Sequence, residues 1–344
     1  MVRYRDYLPI SPATPIITLG EGGTPLVRSI NLEKKIGCAE LYFKLEGCNP
    51  TGSFKDRGMV LAVAKAVERN SKSIICASTG NTSASAAAYG ARFGLDVYVI
   101  VPKGKIALGK LAQAIAYGAR IISISGNFDQ ALQIVCQLID EYPVTMVNSL
   151  NPDRIDGQKT AAFEIIDELN YVPDYHFIPV GNAGNITAYW KGYVEYQKAG
   201  KSNKTPAMMG FQAAGAAPIV KGKIVQKPRT FATAIRIGNP ASWQNAVNAR
   251  DASHGTIDCV TDEEILSAYK LLASEEGVFG EPASAASVAG LIKMSQQGMD
   301  FKNKRVVCII TGNGLKDPGV PVKFVEPFPE IEPDVNTVKQ MLGW

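Results

Sequence analysis

Short apolar runs rich in β-branched residues recur along the chain at 73–77, 96–102, 120–124, 145–147, 175–180, 207–212 and 305–310. Apolar residues at consecutive positions, rather than alternating ones, predict strands covered on both faces, as in a parallel sheet wrapped by helices. Between these runs, the stretches 58–69, 82–93, 109–117, 128–141, 157–169, 187–199, 261–276 and 283–297 place apolar residues at helical spacing. Strand and helix alternate, so the pattern predicts an α/β fold of open, mostly parallel sheets flanked by helices. The pattern fades at the polar segment 198–205, at a loop over 215–245, and in a Pro-rich tail, 318–344, expected to pack on the surface as an arm.

Open α/β sheets bind ligands beyond the carboxyl ends of their strands, so the residues that follow each run are where chemistry is expected. Three such turns are rich in Gly, Asn and hydroxyls: 78–83, 181–185 and 311–314. The turn 181–185 ends a strand and opens a helix, so its backbone N–H groups can converge on an anion without a basic side chain. A tight turn in which glycine supplies a positive φ accounts for the same residues equally well. A fourth segment, Asn-Pro-Thr-Gly-Ser-Phe-Lys-Asp-Arg-Gly at 49–58, passes from turn formers into a helical pattern, with Ser53 expected at the N-cap. Lys55 would then sit at the positive end of a helix, which favours its neutral, nucleophilic form and suits Schiff-base chemistry. A solvated surface charge is the plainer alternative.

Composition narrows the classes. With 344 residues, 46% of them apolar, the chain can bury a sizeable core, and its length suggests two compact units. A formal charge of +4, with basic residues scattered along the chain, argues against nucleic acid or membrane surfaces as partners. Six cysteines form no Cys-x-x-Cys motif, and Cys76, Cys136, Cys259 and Cys308 lie in apolar contexts expected of reduced core residues in a cytoplasmic protein. His176 and His254 are the only histidines and neither has a ligand cluster nearby in sequence, so no metal site is expected. The start has no apolar signal region, and no apolar run approaches membrane-spanning length. The segment 104–111 nearly spells a nucleotide-binding P-loop, but Leu111 stands where a hydroxyl must hold Mg²⁺, and Gly-x-Gly-x-x-Gly is absent from the chain.

Taken in order, residues 49–58 with Lys55, the turn around Asn81, the cup at 181–185 and Thr311 resemble fold-type-II pyridoxal-phosphate enzymes of the tryptophan synthase β-like superfamily. Further stretches at 20–26, 45–47, 148–154, 157–160, 235–240 and 281–286 make the chain most similar to threonine synthases of the short bacterial and archaeal kind, from about residue 19 to 319. The resemblance implies pyridoxal phosphate as cofactor, joined to Lys55 as a Schiff base, with Lys55 later moving protons. Gly181, Asn182, Ala183, Gly184 and Asn185 would surround its phosphate, Asn81 would bond the ring hydroxyl, and Thr311 would face the pyridine nitrogen. A neutral hydroxyl there implies a milder electron sink than an aspartate would give, and so elimination rather than transamination.

The implied substrate is O-phosphohomoserine. Its carboxylate would be held by Ser78, Thr79, Asn81 and Thr82, and its phosphate by Asn148, Ser149, Arg154 and Asn182 together with Lys55. On the residues alone, Arg154 reads as a surface ion pair with Asp153 or Asp156. The resemblance further implies a small domain at 61–147, a large one from 1–60 and 148–344, a cofactor cleft between them, and a homodimer. Without a long N-terminal extension, the S-adenosylmethionine regulation of longer plant relatives is not expected. A serine or threonine dehydratase, or another β-eliminating or β-replacing enzyme, shares the scaffold. A catalytically silent or nucleotide-binding protein is the alternative from a different class.

Overall fold

The computed structural model describes residues 1–103, 108–322 and 329–344, so 104–107 of the near P-loop at 104–111 lie outside the described residues. Ten strands are described: β1 Leu26–Arg28, β2 Glu40–Leu45, β3 Ser73–Ala77, β4 Asp96–Pro102, β5 Arg120–Ile124, β6 Val144–Met146, β7 Tyr175–Pro179, β8 Ala207–Ala213, β9 Thr256–Val260 and β10 Arg305–Ile310. They form a six-stranded sheet in the order β1-β2-β10-β7-β8-β9 and a four-stranded sheet in the order β5-β4-β3-β6. Apart from the antiparallel β1–β2 pair, every pairing is parallel.

The consecutive apolar runs have a direct structural cause. In β10, Val306, Cys308 and Ile310 point into one core while Val307 and Ile309 point into the core on the opposite face. In β3, Ile74 and Cys76 face one core and Ile75 and Ala77 the other. Side chains alternate along a strand, so a strand covered on both faces must be apolar at every position.

Several expectations need correction. The strand placed at 145–147 is Val144–Met146: Val144 already pairs with Ser73, and the last ladder bond runs from the Val147 N–H to the Ile75 carbonyl. The helix expected over 157–169 is two helices, Pro152–Gln158 and Thr160–Leu169, joined at Lys159. Gly157 lets the first of them pack against the helix Lys55–Glu68, since a Cβ there would lie 2.2 Å from the Arg57 carbonyl oxygen. The loop over 215–245 contains a short helix, Pro218–Lys221, and the start of the helix Trp243–Ala252. Cys76 and Cys308 are buried, but Cys136 and Cys259 are only half-buried, as expected of residues on an outer helix and an edge strand. Beyond Pro318 lie a one-turn helix, Gly319–Val322, and a longer helix, Val335–Leu342, whose Val335, Val338, Met341 and Leu342 are exposed.

Candidate functional site

The site is assembled where both sheets end. The turn 78–82 follows β3 and Asn148 follows β6, its neighbour in the small sheet; the cup 181–185 follows β7 and Thr311 follows β10, its neighbour in the large one. These are the places where strand order reverses, which is where open sheets leave a crevice.

Lys55 opens the helix Lys55–Glu68, but Ser53 does not cap it. Phe54 occupies the N-cap, and Ser53 Oγ only accepts a long bond, 3.4 Å, from the Lys55 N–H. Ser53 is instead paired in an isolated bridge with Gly312, while the Phe54 N–H donates to the Thr311 carbonyl at 3.0 Å. Those two contacts hold the lysine's turn against the end of β10. From the other side, buried Asp56 accepts from the Thr51 N–H at 2.7 Å, the Thr51 hydroxyl at 2.6 Å and the Ser85 hydroxyl at 2.6 Å. Below the turn, Arg57 makes paired bonds to Glu46 (2.6 and 2.8 Å) and to Glu164 (2.7 and 2.7 Å), and Lys44 reaches Glu164 at 2.9 Å. All four of these charged groups are buried, so the helix start is fixed by charge-assisted bonds that water does not weaken.

Burial, together with the charge of Arg154, pulls the Lys55 amine down to about 7, against an opposing pull from Glu281. A large share of the amine is therefore neutral at neutral pH. Its Nζ lies 4.4 Å from the centre of the Phe54 ring.

Arg154 is fully buried in the helix Pro152–Gln158. It is not the surface ion pair that its neighbours suggest: Asp153 pairs with Arg69 at 3.3 Å, and Asp156 with Lys159 at 2.9 Å and Lys191 at 2.6 Å. Nη1 of Arg154 donates to the Val147 carbonyl at 2.8 Å, while Nε and Nη2 are buried without a hydrogen-bond partner among the described residues. Burial lowers its pKa to about 10, which still leaves the guanidinium charged at neutral pH. A buried cation with unpaired donors is costly unless an anion joins it.

The other expected residues divide by how far the protein already uses them. Both halves of the Asn148 amide are engaged by Ala77, whose N–H it accepts at 3.0 Å and whose carbonyl it bonds at 2.9 Å. Asn148 thus fixes the strand end from which Ser78 and Thr79 leave. Ser78 Oγ accepts from the Gly80 N–H at 3.2 Å, and Asn81 and Thr82 open the helix Asn81–Phe93. Asn182 Nδ2 donates to the Ser149 hydroxyl, and Asn182 Oδ1 accepts from the Ala241 N–H at 2.7 Å. That pairing brings Ser149 to the rim of the cup.

The cup itself carries the signs of a cradle. Ala183 adopts φ +64°, ψ −4°, a left-handed conformation unusual for alanine, at the N-cap of the helix Gly184–Lys198. At Gly181 a Cβ would lie 3.0 Å from the Ile235 Cα, so a side chain there would push the neighbouring backbone aside. Asn185 Nδ2 is buried without a partner among the described residues. A helix start, a strained alanine and an unpaired donor together fit a phosphate. The remaining functional group that the residue-by-residue reading left without a role is Glu281. It accepts from Asn81 Nδ2 at 2.9 Å and from the Thr311 hydroxyl at 2.9 Å. The only signal in sequence was a carboxylate inside the stretch 281–286. No group of His, Cys, Asp and Glu suited to a metal ion occurs among the described residues.

The site therefore offers an anion cup, an amine of lowered pKa, and hydroxyl and amide groups, a donor set that fits pyridoxal phosphate. The family described as "Pyridoxal-phosphate dependent enzyme" matches residues 17–312. The threonine synthase of Bacillus sp. (strain ULM1) is 61% identical over 93% of this chain and 90% of its own length. That of Halalkalibacterium halodurans is 59% identical, covering 96% and 93%. Among solved structures, maize serine racemase superposes with a TM-score of 0.74 over 88% of this chain and 91% of its own, at 20% identity, a likeness of fold alone. The chain belongs to the threonine synthase family of fold-type-II pyridoxal-phosphate dependent enzymes.

Proposed function

We propose that the chain converts O-phosphohomoserine and water into L-threonine and phosphate, as a carbon–oxygen lyase acting on a phosphate. The observation that carries this reading is Arg154, a buried guanidinium whose Nε and Nη2 have no partner among the described residues. An enzyme acting on serine or threonine has no second anion to offer it, whereas a phosphorylated substrate does.

Pyridoxal phosphate, when bound, supplies an electron sink for charge developing at the substrate's Cα. The chain's own residues do the rest. Gly181, Asn182, Ala183, Gly184 and Asn185 would hold the cofactor's phosphate, Lys55 would carry the cofactor, and Asn81 and Thr311 would bond its ring. Ser78, Thr79, Asn81 and Thr82 hold the substrate carboxylate at a helix start. Lys55 Nζ takes the α-proton, a β-proton leaves as phosphate departs from Cγ, and protons return at Cγ and, once water has added at Cβ, at Cα. Arg154, with Ser149, Asn182 and the remaining bonding capacity of Asn148, holds the phosphate as it leaves Cγ. The retained phosphate then assists water in adding at Cβ. The cleft lies between a small domain at 61–147 and a large one from 1–60 and 148–344, and its closure excludes water until that step. A homodimer in the cytoplasm completes the reading. No helix among the described residues is long and apolar enough to cross a membrane.

Reaction in H₂¹⁸O tests it. Cleavage at Cγ–O leaves the bridging oxygen in phosphate, so label enters the threonine hydroxyl and not the phosphate. Label in phosphate would mean simple ester hydrolysis and would overturn the reading.

A further inference from the structure

Glu281 joins Asn81 and Thr311 at the centre of the site. It sits at the foot of the 3₁₀ turn Pro282–Ser284, its own N–H donating to the Gly312 carbonyl at 2.8 Å. It is 4% exposed. Its two carboxylate oxygens go to two different walls of the crevice: Oε2 to Asn81 at the end of the small sheet, Oε1 to Thr311 at the end of the large one. The backbone is shaped to admit it, since a Cβ at Gly312 would lie 2.6 Å from the Glu281 Cδ. The charged groups acting on it are Lys55 and Lys316, the latter held by the Thr51 carbonyl at 3.0 Å and by Gln113. Both favour its ionised form; burial opposes them and raises its pKa above the ordinary carboxylate range.

We propose that Glu281 is a positioning residue that sets the direction of the hydrogen bonds offered by Asn81 and Thr311 to the cofactor ring. This rests on the reading of the site as a pyridoxal-phosphate pocket. An ionised carboxylate only accepts. Thr311 must therefore give its single hydroxyl proton to Glu281, which leaves Thr311 Oγ1 with lone pairs alone. One of these faces Ser284 Oγ at 3.0 Å, and Ser284 Oγ in turn accepts the Gly312 N–H at 3.1 Å. Asn81 must likewise turn Nδ2 toward Glu281, which fixes which end of its amide points elsewhere. Without Glu281, the Asn81 amide loses the partner that orients it and the Thr311 hydroxyl proton can turn to Ser284 or to the ring, so the ring meets an undefined set of donors and acceptors. One residue thus gives the two walls a common hydrogen-bond direction, so each side chain is set before the cofactor arrives.

The test is Glu281→Gln, which keeps the shape but offers one acceptor and one donor, so one of the two bonds must reverse its direction. Protein freed of cofactor is titrated with pyridoxal phosphate, and affinity and the position of the visible absorbance band are read. Ser287→Ala serves as control: Ser287 is buried in the adjoining helix and bonds only the Ser284 and Ile309 carbonyls. The expected result is a loss of affinity of about tenfold or more in Glu281→Gln with a displaced band, and neither change in Ser287→Ala. Unaltered affinity and band in Glu281→Gln overturn the proposal alone, as does an equal loss in Ser287→Ala, which would mark a general loss of packing. Absence of any visible band in the unaltered protein overturns the cofactor reading, and this proposal with it.

Discussion

Lys55 and Arg154 are linked through charge: Arg154 stays a cation, and Lys55 beside it sheds its proton more easily. Burial and the charge of Arg154 bring Lys55 to about 7, which makes a testable statement about pH. Only the neutral amine attacks an aldehyde, and its share grows as pH rises through the pKa. In protein freed of cofactor, the rate of combination with pyridoxal phosphate should rise about tenfold from pH 6 to pH 7.5 and flatten above pH 8; a rate still climbing steeply at pH 9 would mean a solvated lysine. Lys55→Ala should lose turnover by about 10³-fold or more. Arg154 is expected to act on binding of the second phosphate. Arg154→Gln should reduce kcat/KM for O-phosphohomoserine by about 100-fold, while its visible absorbance with pyridoxal phosphate stays as in the unaltered protein.

At the scale of elements, the site depends on helices that approach more closely than side chains permit. Gly58 and Gly157 lie face to face between the helices Lys55–Glu68 and Pro152–Gln158: a Cβ at Gly58 would lie 2.4 Å from the Arg154 carbonyl oxygen, and one at Gly157 2.2 Å from that of Arg57. These are backbone contacts, so relief requires the helices to part. Gly157→Ala should cost about 1–3 kcal/mol by urea unfolding and reduce activity more than its stability loss explains, because the two helices carry Lys55 and Arg154. The same scale explains what the sequence made legible. The strands covered on both faces, β3, β4, β7, β8 and β10, announce themselves as continuous β-branched or apolar runs. β2 was not foreseen: its Glu40 and Lys44 break the apolar run, although Lys44 is buried through its bond to Glu164. β1 is three residues long and β9 is an edge strand carrying Asp258, so neither has a strong pattern. Lys55, the cup and Thr311 could be read because each follows a strand or starts a helix. Glu281 could not, because its partners stand 200 and 30 residues away and only the fold joins them.

For the whole molecule, the buried set of Arg57, Lys44, Glu46 and Glu164 ties the lysine-bearing turn to the helix Thr160–Leu169. Arg57 and Lys44 hold the Glu164 carboxyl well below the ordinary carboxylate range despite its burial. A carboxylate whose pKa falls on folding contributes stability in full above its unfolded value, about 4.3, and loses it as pH falls toward the folded one. Glu164→Gln should therefore cost about 3–5 kcal/mol at pH 7, read from urea midpoints, and should show a shallower loss of stability below pH 4 than the unaltered protein.

The central claim is that this pocket removes a phosphate from Cγ and replaces it with water at Cβ. Its most direct test follows phosphate and L-threonine together in a single reaction of the purified protein, pyridoxal phosphate and O-phosphohomoserine. The account predicts that the two appear at equal rates and in a one-to-one ratio throughout. Phosphate released without threonine, or neither product formed by protein that carries its cofactor, would contradict it.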